Sequence, residues 1–175
     1  MSDYAVFLRG INVSGRRLAM ADLAECVAGA GFANVRTVLA TGNVLLTADA
    51  PREQVASRFA AAVSDRFGFD ARVFVKTVPE IRSLLAACPF GRQEQHDGAD
   101  LHTYVTFASS AQTVDEVLTE AAGADRVSGA GDVLFWQTPK GSSLENPIAK
   151  ALNRARFKEH STTRNINTLD KLLTR

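Results

Sequence analysis

Arginine, asparagine, threonine and glycine gather at three places in this chain, and these residue types hydrogen-bond without titrating near neutral pH. The first group, Arg9, Asn12, Gly15 and Arg16, lies in YAVFLRGINVSGRR, residues 4–17, where an apolar run ends at Arg9 and turns through Gly10. The second, Arg36, Thr41 and Asn43, brackets a Thr-Gly-Asn turn. The third, Thr163, Arg164, Asn165 and Asn167, is packed into TTRNINT, residues 162–168. Guanidinium forks match the oxygen geometry of phosphate and carboxylate, so the set suits holding an anion or a sugar phosphate. It supplies no general acid or base, and no catalytic residue is assigned.

Each group also has a plainer explanation. Gly10 and Gly15 have the spacing of a phosphate-binding loop between a strand and a helix, but Arg16 stands at the lysine position and Arg17 at the magnesium-binding Ser/Thr position. Losing that hydroxyl removes the metal ligand that triphosphate hydrolysis needs. What is left is either a simple anion loop, with backbone N–H groups and arginines, or a solvated turn. Residues 36–43 also read as turn chemistry, and residues 162–168 as helix capping by Asn167 beside a surface loop. His96, Asp97, Asp100 and His102 lack a recognised zinc spacing, so no metal is expected. Ser161 beside His160 is adjacency and not a triad. Trp136 reads as core or interface, and Cys26 and Cys88, without metal spacing, as reduced thiols.

The elements that would position these groups follow from periodicity. Residues 4–9 form a short continuous apolar run, which predicts a strand buried on both faces. Met20, Leu23, Ala24, Val27 and Ala30 mark a helix, stopped by Gly29 and Gly31. Residues 35–40 and 44–48 read as a hairpin about Thr41-Gly42-Asn43. Pro51 opens a second helix on Val55, Phe59, Ala62, Val63 and Phe67, and residues 72–76 form a further strand. The order strand, helix, strand, strand, helix, strand is that of a ferredoxin-like unit.

Thr77 and Glu80 have capping-box spacing ahead of a short helix over residues 78–87, and the polar residues 92–100 read as an exposed connection. The pattern then restarts: a strand over residues 101–107, a helix begun by a Thr113–Glu116 capping box, a hairpin turning at Gly129-Ala130-Gly131, and a helix opened by Asn146-Pro147. The expected fold is therefore α+β, with two ferredoxin-like βαββαβ halves and mostly antiparallel sheets. The first spans residues 1–77, a helix and polar connection span 78–100, and the second spans 101–175 with a C-terminal helix.

Composition excludes little beyond extremes. The chain has 175 residues, 46% hydrophobic, enough for a normal core, and a net charge of +1 that singles out neither a nucleic-acid nor a membrane partner. From residue 140 onward eight basic residues face three acidic ones, a local +5 that leaves −4 for the remainder. Asp3 and Arg9 interrupt the N-terminal apolar run, so no signal peptide is read, and no segment approaches the roughly 20 apolar residues of a membrane span. A cytosolic protein is expected, without a cofactor and with no membrane partner.

Four motifs carry a resemblance: RGINV at residues 9–13, MADL at 20–23, VRT at 35–37 followed by TGN at 41–43, and TTRNxNT at 162–168. In this order, over nearly the whole chain, they resemble the bacterial family catalogued as domain of unknown function 1697. Ser14 stands where that family usually has a second loop glycine, Thr41 where it has serine, and Ile166 where it has tryptophan. The resemblance implies a shared fold and marks the polar loop residues as a site. It implies no activity. The three groups are expected to meet at one end of a sheet and to hold a phosphorylated metabolite, nucleotide or nucleic-acid backbone. The contrasting expectations are an enzyme that transfers or hydrolyses a phosphoryl or acyl group in the same pocket, using Ser161 or Thr163, and a protein-protein contact module.

Overall fold

The computed structural model describes residues 1–9, 18–91, 94–96 and 98–174. They divide into two compact units: the first comprises Met1–Leu84 together with the chain's last residues from Asp170, and the second comprises Leu85–Leu169.

The first unit contains β1 (Ser2–Arg9), α1 (Met20–Gly29), β2 (Ala33–Val38), β3 (Asn43–Ala48), α2 (Arg52–Phe67), β4 (Arg72–Thr77) and the start of α3 (Val78–Ala87). Its sheet runs β2-β3-β1-β4 with every pairing antiparallel, the ferredoxin-like order. Central β1 is buried on both faces from Tyr4 to Leu8. Tyr4, Val6 and Leu8 join Val44 and Leu46 in the core that includes Leu23 and Val27 of α1 and Val55, Phe59 and Val63 of α2. Burying each of the larger of these side chains contributes about 1.5–3 kcal/mol. Strand alternation puts Ala5, Phe7 and Arg9 on the opposite face.

Local signals account for most boundaries here. Gly68 ends α2 at φ +69, its N–H returning to Ser64 O at 2.9 Å. Pro51, expected as the first helical residue, is instead the N-cap, and its carbonyl receives the N–H groups of Gln54 and Val55, both at 3.0 Å. The Thr77–Glu80 box forms as its spacing predicts. Thr77 N–H reaches Glu80 Oε2 at 2.7 Å, Thr77 Oγ1 reaches the same oxygen at 2.8 Å, and Glu80 N–H returns to Thr77 Oγ1 at 3.3 Å. Burial alone would raise the Glu80 carboxyl, but those two hydrogen bonds and the Arg52 guanidinium outweigh it and lower its pKa.

The second unit contains β5 (Glu94–His96), β6 (Ala99–Ala108), α4 (Ala111–Glu120), β7 (Val127–Ala130), β8 (Val133–Pro139), α5 (Pro147–Leu152), α6 (Ala155–Lys158), β9 (Ser161–Asn165) and most of α7 (Ile166–Leu173). Its sheet runs β5-β6-β8-β7, and β9 pairs β6 beyond β5 along the same edge. Taking β6, β7, β8 and β9 in chain order gives the ferredoxin-like arrangement again. Trp136 and Leu134 pack against Val114 and Val117 of α4 and Ile148 of α5.

Several expectations shift here. Within the polar residues 92–100, Glu94–His96 pairs with β6 as a short hairpin. The Glu94 carboxylate there takes the Gly91 N–H and the Arg126 guanidinium. The helix expected to begin with a Thr113–Glu116 box is capped by Ser110, which accepts from Thr113 N–H at 3.2 Å. The second hairpin turns at residues 131–132, with Gly131 at φ +58. Gly129 stays in β7, where a Cβ would meet Val114 Cγ1 at 3.1 Å. The run at residues 161–165 is a strand despite its polarity. Its Thr163 hydroxyl bonds Thr106 Oγ1 at 2.8 Å, and Thr106 in turn accepts Trp136 Nε1–H at 3.0 Å.

Two outcomes are expected. Glu80 has a lowered pKa in the folded state, so its contribution is present above its ordinary value near 4.5 and is lost as pH falls through the folded value. Glu80→Gln should therefore cost about 1 kcal/mol near neutral pH, and thermal melts of the two proteins should converge in acid. Thr106→Val keeps the shape but strands the Trp136 N–H and the Thr163 hydroxyl. Urea unfolding should show a loss of about 1–3 kcal/mol with an unchanged m-value.

Candidate functional site

In the first unit, the C-terminal end of β1 and the β2–β3 turn are locked together. Leu8 N–H donates to Gly42 O at 2.8 Å, and Phe7 stands opposite Asn43 in register. Asn43 is fully buried, and its Nδ2 donates to Val38 O at 2.9 Å and Thr41 Oγ1 at 2.8 Å. That amide shapes the turn from within, so Asn43 is a scaffold for whatever the turn presents. Thr41 lies exposed at its tip. Asn43 begins β3, which makes the turn residues 39–42, one longer than the sequence suggests.

The turn is strained. Leu39 adopts φ +59 and is 46% exposed, while Gly42 takes φ +70 at no steric cost. A bulky residue in the left-handed region costs of order 1–2 kcal/mol and is held there by its surroundings.

At the same end of the sheet Arg9 stands opposite Arg72, the first residue of β4. Both follow the face of Phe7 and Phe74, opposite the α1/α2 core. Asp70 reaches Arg72 at 3.3 Å, but that pair is largely solvent-exposed and contributes little. Arg72 carries no motif signal of its own, because only the β1–β4 register places it beside Arg9. Asn12, Gly15 and Arg16, which follow Arg9 in the chain, lie outside the described residues.

Arg36 belongs elsewhere in this unit. It pairs with Leu45, one pleat away from the Val38–Asn43 pair at the turn. Its guanidinium donates to Leu172 O at 3.2 Å and Thr174 O at 3.4 Å, capping the C-terminal turn of α7. Arg36 also lines a cavity of about 370 Å³, together with Arg82 of α3 and the polar side chains of Asp3, Asn34 and Thr47. Thr47 Oγ1 donates to Asp3 Oδ1 at 2.7 Å and accepts from Asn34 Nδ2 at 3.2 Å. Leu45, Val78, Leu172 and Leu173 supply the apolar wall. Arg82 and Asp3 carried no motif signal.

The third group belongs to the second unit, whereas Arg9 and Thr41 belong to the first. Alternation along β9 divides it: Thr163 and Asn165 follow the face of Tyr104 and Thr106, while Arg164 follows that of Val105. Thr163 is engaged with Thr106, and Asn165 Oδ1 accepts Asn167 N–H at 2.9 Å, so Asn165 takes the capping role expected of Asn167. Arg164 bonds Thr162 Oγ1 at 2.9 Å and Thr163 O at 2.8 Å, and Asn167 is exposed. Ser161 is 2% exposed and donates to Phe157 O at 2.9 Å, a poor setting for a nucleophile.

Cys26 and Cys88 are free thiols. Burial raises the Cys26 pKa against a smaller opposing pull from Arg66, and its thiol donates to Ala62 O. Among the described residues no group of three or more His, Cys, Asp or Glu is arranged to hold a metal, and no helix is long and apolar enough to cross a membrane.

The fold is similar to a solved structure described as a conserved bacterial protein, SP0830, from Streptococcus pneumoniae. The two share 21% identity and a TM-score of 0.77, with 98% of this chain and 96% of that one covered. At that identity the likeness speaks to the fold. No curated protein sequence matches the chain. A family model does match, over residues 1–135, a span that holds β1, the 39–42 turn and Arg72. The chain therefore belongs to the family described as "Protein of unknown function (DUF1697)".

Proposed function

We propose that the first unit binds an anionic ligand at the end of its sheet, with Arg9 and Arg72 supplying the charge and Thr41 a hydroxyl at the rim. The observation that carries this reading is the directly opposed register of the two arginines at the end of the central strand. Like charges in that relation disfavour each other by several tenths of a kcal/mol, and a shared oxyanion reverses the sign. Two guanidinium forks can grip one phosphate bidentately. The strained turn at Leu39 supports it further, since such strain concentrates at binding sites. Asn12, Gly15 and Arg16 join the reading through their place in the chain directly after Arg9.

The residue types favour binding over catalysis, because none of them titrates near neutral pH. The ligand class is a phosphorylated metabolite, a nucleotide or a nucleic-acid backbone.

Thermal melts of the full chain against pyrophosphate, sugar phosphates, nucleotides and short oligonucleotides test this. Wild type should be stabilised by at least one, in proportion to RT ln(1 + [L]/Kd). Arg9→Ala and Arg72→Ala should each weaken binding by roughly 10- to 100-fold, the size of a lost charge-assisted hydrogen bond. A response confined to oligonucleotides and falling steeply with salt would assign the nucleic-acid backbone. No response to any anion, or equal responses from the variants, would refute the site.

A further inference from the structure

The cavity bounded by Arg36 and Arg82 is independent of the sheet-end reading, and its walls are of two kinds. One wall is polar, with the guanidinium groups of Arg36 and Arg82 and the hydrogen-bonded run Asn34–Thr47–Asp3. The other is aliphatic, formed by Leu45, Val78, Leu172 and Leu173. At about 370 Å³ it falls within the size range of small-molecule sites.

The charges narrow the occupant. Two guanidinium groups against the single carboxylate of Asp3 leave a formal +1 on the lining. A monoanion balances that charge, whereas a phosphate dianion would overshoot it and meet Asp3. Arg36 spends two donors on the carbonyls of Leu172 and Thr174, and a guanidinium has five. Arg82 is exposed on α3 and has no hydrogen-bond or ion-pair partner among the described residues, so its fork is available. The aliphatic wall offers nothing to a wholly polar ion and favours burial of a hydrocarbon chain.

We infer that this cavity is a second binding site, for a small aliphatic monocarboxylate whose carboxylate is held by Arg82 and Arg36 and whose chain lies on Leu45, Val78, Leu172 and Leu173. Because Leu172 and Leu173 belong to the last turn of α7 and Arg36 ties down that turn's carbonyls, occupancy should also steady the end of α7.

The test uses the whole 175-residue chain with hexanoate as probe, hexylamine and inorganic phosphate as controls, and calorimetric titration as the measurement. Hexanoate should bind, and the two controls should not bind or compete at this site. Arg82→Ala should weaken hexanoate by about tenfold or more. It should leave the ligand-free melting temperature nearly unchanged, since Arg82 is exposed and makes no hydrogen bond or ion pair among the described residues. Hydrogen exchange should slow at residues 171–174 on adding hexanoate and stay unchanged on adding phosphate. Failure of hexanoate to bind, equal binding of hexylamine, full binding by Arg82→Ala, or protection that bypasses residues 171–174 would each overturn the proposal. The sheet-end site is read with phosphates and Arg72→Ala, so either site can fail without the other.

Discussion

The antiparallel register of β1 with β3 and β4 is the constraint on which the first unit depends. Side chains alternate with a period of two, so one residue of slip would turn Tyr4, Val6 and Leu8 out of the α1/α2 core and drive Arg9 into it. Burial of Tyr4 through Leu8 on both faces forbids that slip. The same register fixes which groups meet at the end of β1: Arg72 opposite Arg9 on one side, and Gly42 O on Leu8 N–H on the other. The arginine pair and the Leu8–Gly42 hydrogen bond are thus consequences of core packing several residues away.

The second unit reaches the same topology with different chemistry. Its β6 holds the centre, but the edge strand β9 is made of Ser, Thr, Arg and Asn. Such a strand survives partial burial because its polar groups are partnered within the unit. Trp136 donates to Thr106, Thr106 bonds Thr163, Arg164 folds back on Thr162, and Asn165 starts α7. Each unpartnered group in that position would cost about 1–3 kcal/mol. The polar motif at residues 162–168 therefore spends much of its hydrogen-bonding capacity on the fold.

Legibility in the sequence followed the range of the interaction. The βαββαβ order, the buried β1, the α2 stripe of Val55, Phe59 and Val63 and the Thr77–Glu80 box are local patterns, and they appear as read. Where two capping residues compete within a few positions, local reading picks the wrong one, as with Ser110 for Thr113 and Asn165 for Asn167. Strand β9 was missed because its polarity is balanced by partners far away in sequence. The two proposed sites are each legible only in part. Arg9 and Thr41 stand out as motif residues, whereas Arg72 and Arg82 gain meaning only from register and from the cavity wall. Arg36, grouped with Thr41 by sequence, belongs to the cavity because two residues along a strand span nearly 7 Å, by the rise of about 3.4 Å per residue.

The central claim is that Arg9 and Arg72 share one oxyanion. Nitrogen-15 NMR of the arginine Nε–H resonances during a pyrophosphate titration addresses it most directly. The account predicts that the Arg9 and Arg72 signals move together along one saturable curve and narrow as their side chains become fixed. Movement confined to other arginines, or unsaturable drift of all of them alike, would contradict it.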